Sequence, residues 1–153
     1  MVYTASTIAG RGRKMTVNID RLLPEVTMRL PCPLNEMAEF QKLVGRIPHH
    51  DYLDFMSRHN GCDGPVGKDG YICLWPIEEV VSGTEQAGAA EFAPDLLLFG
   101  GDGGNEAFAF DRQDSQWPIV MVPLVGLSRK DMRFVAATFG DFLHRLATDK
   151  LWG

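Results

Sequence analysis

The sequence predicts an α+β domain built on a single antiparallel sheet, and three features predict it. Near the front, Leu34–Val44 and Arg46–Asn60 carry apolar residues three and four apart, the spacing of two short helices joined by a tight turn. The middle of the chain changes to short apolar or alternating runs set between glycines, which reads as strands. A last amphipathic stretch, running to Leu146, supplies a helix at the other end. The expected architecture is one sheet of roughly four or more strands, flanked by N-terminal helices and a C-terminal helix.

Taken in order, residues 1–17 are small, polar and basic and are expected to be a mobile segment, with 18–153 forming one domain. Either Met1 or Met15 is the expected natural start. Asn18–Leu30, with Pro24 and alternating Val26, Met28 and Leu30, suits a connector or a short edge strand. Pro31-Cys32-Pro33 interrupts regular structure. The first helix begins at Leu34 or Asn35, carries Met37, Phe40, Leu43 and Val44 on its apolar side, and ends at Gly45. In the second, Pro48 suits the first turn, Asp51 the positive end of the dipole, and Arg58 and His59 the negative end. Tyr52, Leu53, Phe55 and Met56 make its apolar stripe. Asn60-Gly61 stops it, since both residues readily enter the left-handed region.

Gly61, Gly64, Gly67 and Gly70 then punctuate a loop, and Tyr71–Trp75 reads as a strand. Pro76–Val81 reads as a short helical turn, and Ser82–Ala93 as a loop or weak helix. Leu96–Phe99 and Glu106–Asp111 form a hairpin around Gly100–Asn105, with Phe108 and Phe110 on one face. Ile119–Val122 is a further strand. Ser128-Arg129-Lys130-Asp131 resembles a capping box and opens the final helix, whose stripe is Met132, Val135, Ala136, Phe139, Phe142, Leu143 and Leu146. Gly140 falls in that helix's interior.

Composition narrows the function classes. Hydrophobic residues make up 45% and charged residues 23%, a globular balance. Net charge is −5. Without Arg11, Arg13 and Lys14, the 15 basic residues fall to 12 against 20 acidic ones, so the folded part stands at −8. That argues against direct nucleic-acid binding, whose footprint is basic. Ordinary solubility and an acidic face for a basic partner both fit it. Three cysteines (Cys32, Cys62, Cys73) without CxxC spacing do not suggest a disulfide framework and fit a reducing cytoplasm. No apolar run approaches the roughly 18 residues of a membrane span.

No catalytic, metal or cofactor site emerges. The Gly100–Asn105 run lacks GK[ST] and precedes a strand, so it is a hairpin turn and not a phosphate loop. Asp102, Asn105, Glu106 and Asp111 lack the EF-hand spacing for calcium. His59 and Cys62 have H-x-x-C spacing but no second pair for zinc. There is no G-x-S-x-G elbow, and His49, His50, His59 and His144 have no nucleophile beside them. Tyr71, Trp75 and Trp117 fit either core packing or an interface.

The ordered motifs resemble the SUKH superfamily of Smi/Knr-like domains, found among bacterial toxin-immunity proteins and fungal cell-wall regulators. The residues that carry this are Arg46-Ile-Pro-x-x-Asp-Tyr-Leu-Asp-Phe-Met56 followed by Asn60-Gly61, Leu74-Trp-Pro-Ile-Glu-Glu-Val80, Leu96–Gly100 with Gly103-Gly104, Ala107–Asp111, and Phe139-Gly-Asp-Phe-Leu143. The likeness covers Leu34–Leu146. It implies a non-enzymatic protein-binding domain, specifically a bacterial immunity protein that neutralises a cognate toxin delivered by a neighbouring cell. A basic nuclease is the kind of toxin that the acidic balance fits. The alternative it implies is an intracellular adaptor or regulatory domain binding an endogenous protein or peptide.

Asn60, Gly61, Gly100 and Asp111 fall on signature positions whose expected role is structural. The expected protein-binding residues are exposed acids and aromatics on and beside the loops: Asp63, Asp69, Trp75, Asp102, Asn105 and Glu106. No membrane association, cofactor or metal is expected, and the expected location is the cytoplasm.

Overall fold

The computed structural model describes residues 19–150, so the segment expected to be mobile and both candidate starts lie outside the described residues. A single seven-stranded antiparallel sheet runs in sequence order: β1 (Thr27–Met28), β2 (Cys62–Val66), β3 (Gly70–Leu74), β4 (Leu96–Gly101), β5 (Glu106–Asp111), β6 (Ile119–Pro123) and β7 (Arg133–Ala136). The helices are α1 (Leu34–Val44), α2 (His50–Arg58), α3 (Ile77–Gln86), α4 (Ala89–Phe92) and α5 (Phe139–Ala147). The α+β prediction holds, with helices before the sheet's main part and one helix closing it.

Alternation divides the central strands between two cores. Leu97, Phe99, Phe108, Phe110, Ile119 and Met121 face α2 and α5, where Tyr52, Phe55, Phe139 and Phe142 meet them. As expected, Phe108 and Phe110 share this face. Phe99 stacks on Phe110 at 4.4 Å, and Tyr52 sets an edge against Phe110 at 5.1 Å and Phe139 at 5.2 Å. Each such pair contributes roughly 0.5–1.5 kcal/mol beyond area burial. On the opposite face, Leu96, Leu98, Ala107, Ala109, Val120 and Val122 lie under Ala89, Ala93 and Leu127.

Several boundaries differ from expectation, each for a physical reason. α2 starts at His50, so Pro48 lies in the connector before it. His49 has φ −128° and ψ 81°, held there by a buried ring that stacks on Phe110 and bonds the Trp117 carbonyl at 2.7 Å. α2 ends at Arg58, because His59 is already extended and Asn60 is drawn away to another partner. Residues 62–66, expected within a loop, form β2. Cys62, Gly64 and Val66 point inward while Asp63 and Pro65 point out, an alternation that glycine and proline disguise. The helical turn after Pro76 extends to Gln86. Leu43, expected on the apolar side of α1, is 62% exposed.

The largest correction concerns the chain's end. Ser128 accepts the Lys130 N–H and caps only a 3-10 turn, Arg129–Asp131. Met132–Ala136 does not continue as helix, and Arg133–Ala136 pairs with β6 as an edge strand. The true cap of α5 is Thr138, whose hydroxyl accepts the Asp141 N–H at 3.1 Å. Gly140 therefore sits in the first turn, where its N–H donates to Asp51 Oδ2 at 2.8 Å.

Candidate interaction surface

The four signature residues each make contacts that shape the fold. Asn60 is buried, and its Oδ1 accepts the Ile77 N–H while its Nδ2 donates to Glu78 Oε1, both at 2.8 Å. Pro76, the local N-cap of α3, offers no side-chain acceptor, so Asn60 caps that helix from across a loop. Its own N–H donates to the Leu30 carbonyl. Gly61 has φ +104°, and a Cβ there would lie 2.6 Å from the Leu74 oxygen. Gly100 permits β3 and β4 to close, since a Cβ would strike the Cys73 carbonyl. Asp111 ends β5 in a bidentate pair with Arg129, with both contacts 2.9 Å. Burial works to raise the Asp111 carboxyl; Arg129 and the Gln113 N–H outweigh it and hold it below the usual carboxylate range.

The expected contact residues divide by position. The register Cys73↔Gly101 carries the β4–β5 turn beside the start of β3, so it shares one end of the sheet with the β2–β3 turn. That end gathers Asp69, Asp102, Asn105 and Glu106. Asp63 stands mid-strand on the outer face of β2, diagonal to Tyr71, and hydrogen bonding to its carboxylate raises the Tyr71 phenol. Trp75 lies at the opposite end of β3. It packs close to Gly83 of α3 and is only partly exposed, so it belongs to the packing of that helix.

Within the turn end, part of the polar inventory is committed to shape. Asp102 Oδ1 accepts the N–H groups of Gly104 and Glu106 at 2.9 and 3.3 Å. Asn105 accepts the Val125 N–H at its side-chain oxygen and the Leu124 N–H at its carbonyl, pulling the β6–β7 loop alongside. Glu106 lies 3.5 Å from Arg133. Asp69 is exposed, its main chain held by Asp149.

This arrangement exposes apolar groups that sequence reasoning did not place here. Tyr71 lies against Gly103, and the Asn105 contacts bring in Leu124 and Val125, the latter 79% exposed. The surface joins carboxylates to apolar contacts. Between Asp69 and Asp111 the chain has nine carboxylates and no Lys, Arg or His. Lys68 and Arg133 are the nearby bases.

Among the described residues no group of three His, Cys, Asp or Glu side chains is placed to hold a metal. No described helix is long and apolar enough to cross a membrane. Compared with curated proteins, the chain matches none. The family model for the SMI1 / KNR4 family (SUKH-1) matches residues 31–145, well over half of the chain. Members of that family are in general non-catalytic immunity or regulatory domains that work by binding other proteins. With its motifs in order along a seven-stranded α+β sheet, the chain belongs to the SMI1 / KNR4 family (SUKH-1).

Proposed function

We propose that this protein is an immunity protein that binds and neutralises a cognate toxin in the cytoplasm, without catalysis, and that the toxin is a basic one such as a nuclease. The observation that carries this reading is the charge of the Asp69–Asp111 span, nine carboxylates without a base. The turn end joins several of those carboxylates to exposed Tyr71, Leu124 and Val125. Carboxylates speed the approach of a basic partner, and desolvated aromatic and aliphatic groups then hold it. Asp63, Asp69, Asp102, Asn105 and Glu106 are the proposed polar contacts. Trp75 contributes by holding α3 in place.

The test is co-purification of the full chain with the product of the adjacent gene at low and high salt, alongside a toxicity assay. Capture with loss of toxicity is expected, with affinity falling as salt rises. Tyr71→Ala and Asp69→Lys are each expected to weaken capture by about tenfold. Affinity indifferent to salt would remove the charge argument. Capture of an endogenous protein with no effect on toxicity would favour a regulatory adaptor.

A further inference from the structure

A second surface lies at the other end of the β4–β5 hairpin. Leu96 pairs with Asp111 at this end, about 17 Å along β4 from the turn. Here α1, α3, α4 and the start of β4 enclose a groove of about 430 Å³, large enough for one or two side chains. Its apolar walls include Leu43, Val81, Ala89 and Leu97. Leu43 is 62% exposed, and Phe92, two residues past the lining Ala90 in α4, is 55% exposed.

The polar groups on the walls are unequal. Thr84's hydroxyl is spent within the fold, accepting the Leu98 N–H at 2.9 Å and donating to the Val80 carbonyl at 2.8 Å. Arg112 is tied to the Asp95 carbonyl through its main-chain N–H at 2.9 Å and its Nε at 3.5 Å. By contrast, the carboxylates of Glu85 on the wall and of Glu91, which follows the lining Ala90 in α4, make no hydrogen bond or ion pair with any described residue. The Asp95 carboxylate accepts one hydrogen bond among the described residues, from the Gln113 amide at 3.4 Å. Lys42 precedes the lining Leu43 in α1. Together α3 and α4 carry four carboxylates and no base.

We propose that this groove is a docking site for a partner protein segment that presents an apolar side chain flanked by lysine or arginine. The apolar walls give the anchor its seat, and the uncommitted carboxylates at the rim select the flanking charge. The site is separate from the turn end and does not depend on the toxin reading.

The test uses the full chain labelled with nitrogen-15 and a synthetic lysine–leucine peptide, with a glutamate–leucine peptide of the same length as control. Saturable shifts are expected at the amides of residues 43–45, 81–85, 89–93 and 95–97 with the basic peptide alone. Ala90→Trp, which fills the groove from an exposed position, is expected to weaken binding about tenfold. Glu85→Lys with Glu91→Lys is expected to weaken it about threefold or more and to flatten its salt dependence. Equal binding of the acidic peptide, shifts confined to the turn end, or unchanged affinity in Ala90→Trp would overturn the proposal. Groove amides that shift with protein concentration alone would assign the surface to a second copy of this chain and overturn it equally.

Discussion

Asp111 and Arg129 meet fork to fork, with Nη1 and Nη2 each 2.9 Å from a different carboxylate oxygen. Nη1 also donates to the Pro94 carbonyl at 3.0 Å, so one guanidinium joins the end of β5, the segment before β4 and the turn before β7. Asp111→Ala leaves Arg129 half-buried and without its counter-charge, and is expected to cost about 3 kcal/mol in urea unfolding.

The same pair sets an acid limb. The Asp111 pKa is lower in the folded protein than in the unfolded chain. Its stabilisation is therefore full above the ordinary carboxylate value of about 3.9 and is lost as pH falls from there through the folded pKa. Stability measured from pH 5 downward is expected to fall less steeply in Asp111→Asn than in the parent. Parallel curves would assign the acid limb to other carboxylates, with Asp20, lowered by His59 and Arg58 against its burial, the next to examine.

Asn60→Ala removes a buried cap and strands the Ile77 N–H. The expected loss is about 2 kcal/mol, toward the upper end for an N-cap because the site is buried. Asn60→Asp keeps the acceptor but sets a carboxylate against Glu78, so it is expected to recover only part of that loss. Full recovery would mean that the Glu78 contact contributes nothing.

Tyr52 is wholly buried, and its hydroxyl has no partner among the described residues. Its ring packs the aromatic core while its oxygen is desolvated without return. Tyr52→Phe is expected to leave stability unchanged or raise it by up to about 1 kcal/mol. A thermal midpoint several degrees lower would show that the hydroxyl is bonded in solution.

Burial pushes the Cys62 thiol up to about 12, whereas Cys73, on the outer face of β3, is partly exposed. Iodoacetamide at pH 8 is expected to modify Cys73 first in the native protein, with Cys62 modified only as the chain unfolds. Peptide mapping at successive urea concentrations reads this directly. Early labelling of Cys62 would mean that β2 opens locally.

Local signals are legible in the sequence, and long-range ones are not. The stripe of α2 and the hairpin around Gly100–Asn105 are written in adjacent residues. β2 escaped because Gly64 and Pro65 occupy two of its five positions and mask the alternation of Cys62 and Val66. The start of α5 was misplaced because Met132, Val135 and Ala136 imitate helical spacing. Val135 and Ala136 are buried as strand residues beside β6, and Thr138, the effective cap, lies ten residues after Ser128.

The turn end was half legible. Its acids sit in turns that announce themselves, but Leu124 and Val125 arrive there only through Asn105. The helix cap supplied by Asn60 and the Arg129 partner of Asp111 depend on contacts seventeen and eighteen residues apart. No periodicity reports such pairs. The groove beside α4 is assembled from four separate elements and left no mark in the sequence.

The unbroken strand order bears on how the molecule is made. Each strand pairs with the one synthesised before it, so pairing proceeds along the nascent chain, with β1 waiting for β2 across α1 and α2 and β3 waiting for β4 across α3 and α4. The aromatic face is different. Phe99 meets Phe139 and Phe142, and Phe108 meets Phe142, only when α5 emerges, after every strand is already available. During translation the sheet's aromatic face is therefore covered by α2 alone, and the interval before α5 docks is the one in which a stalled or truncated chain is most prone to aggregate.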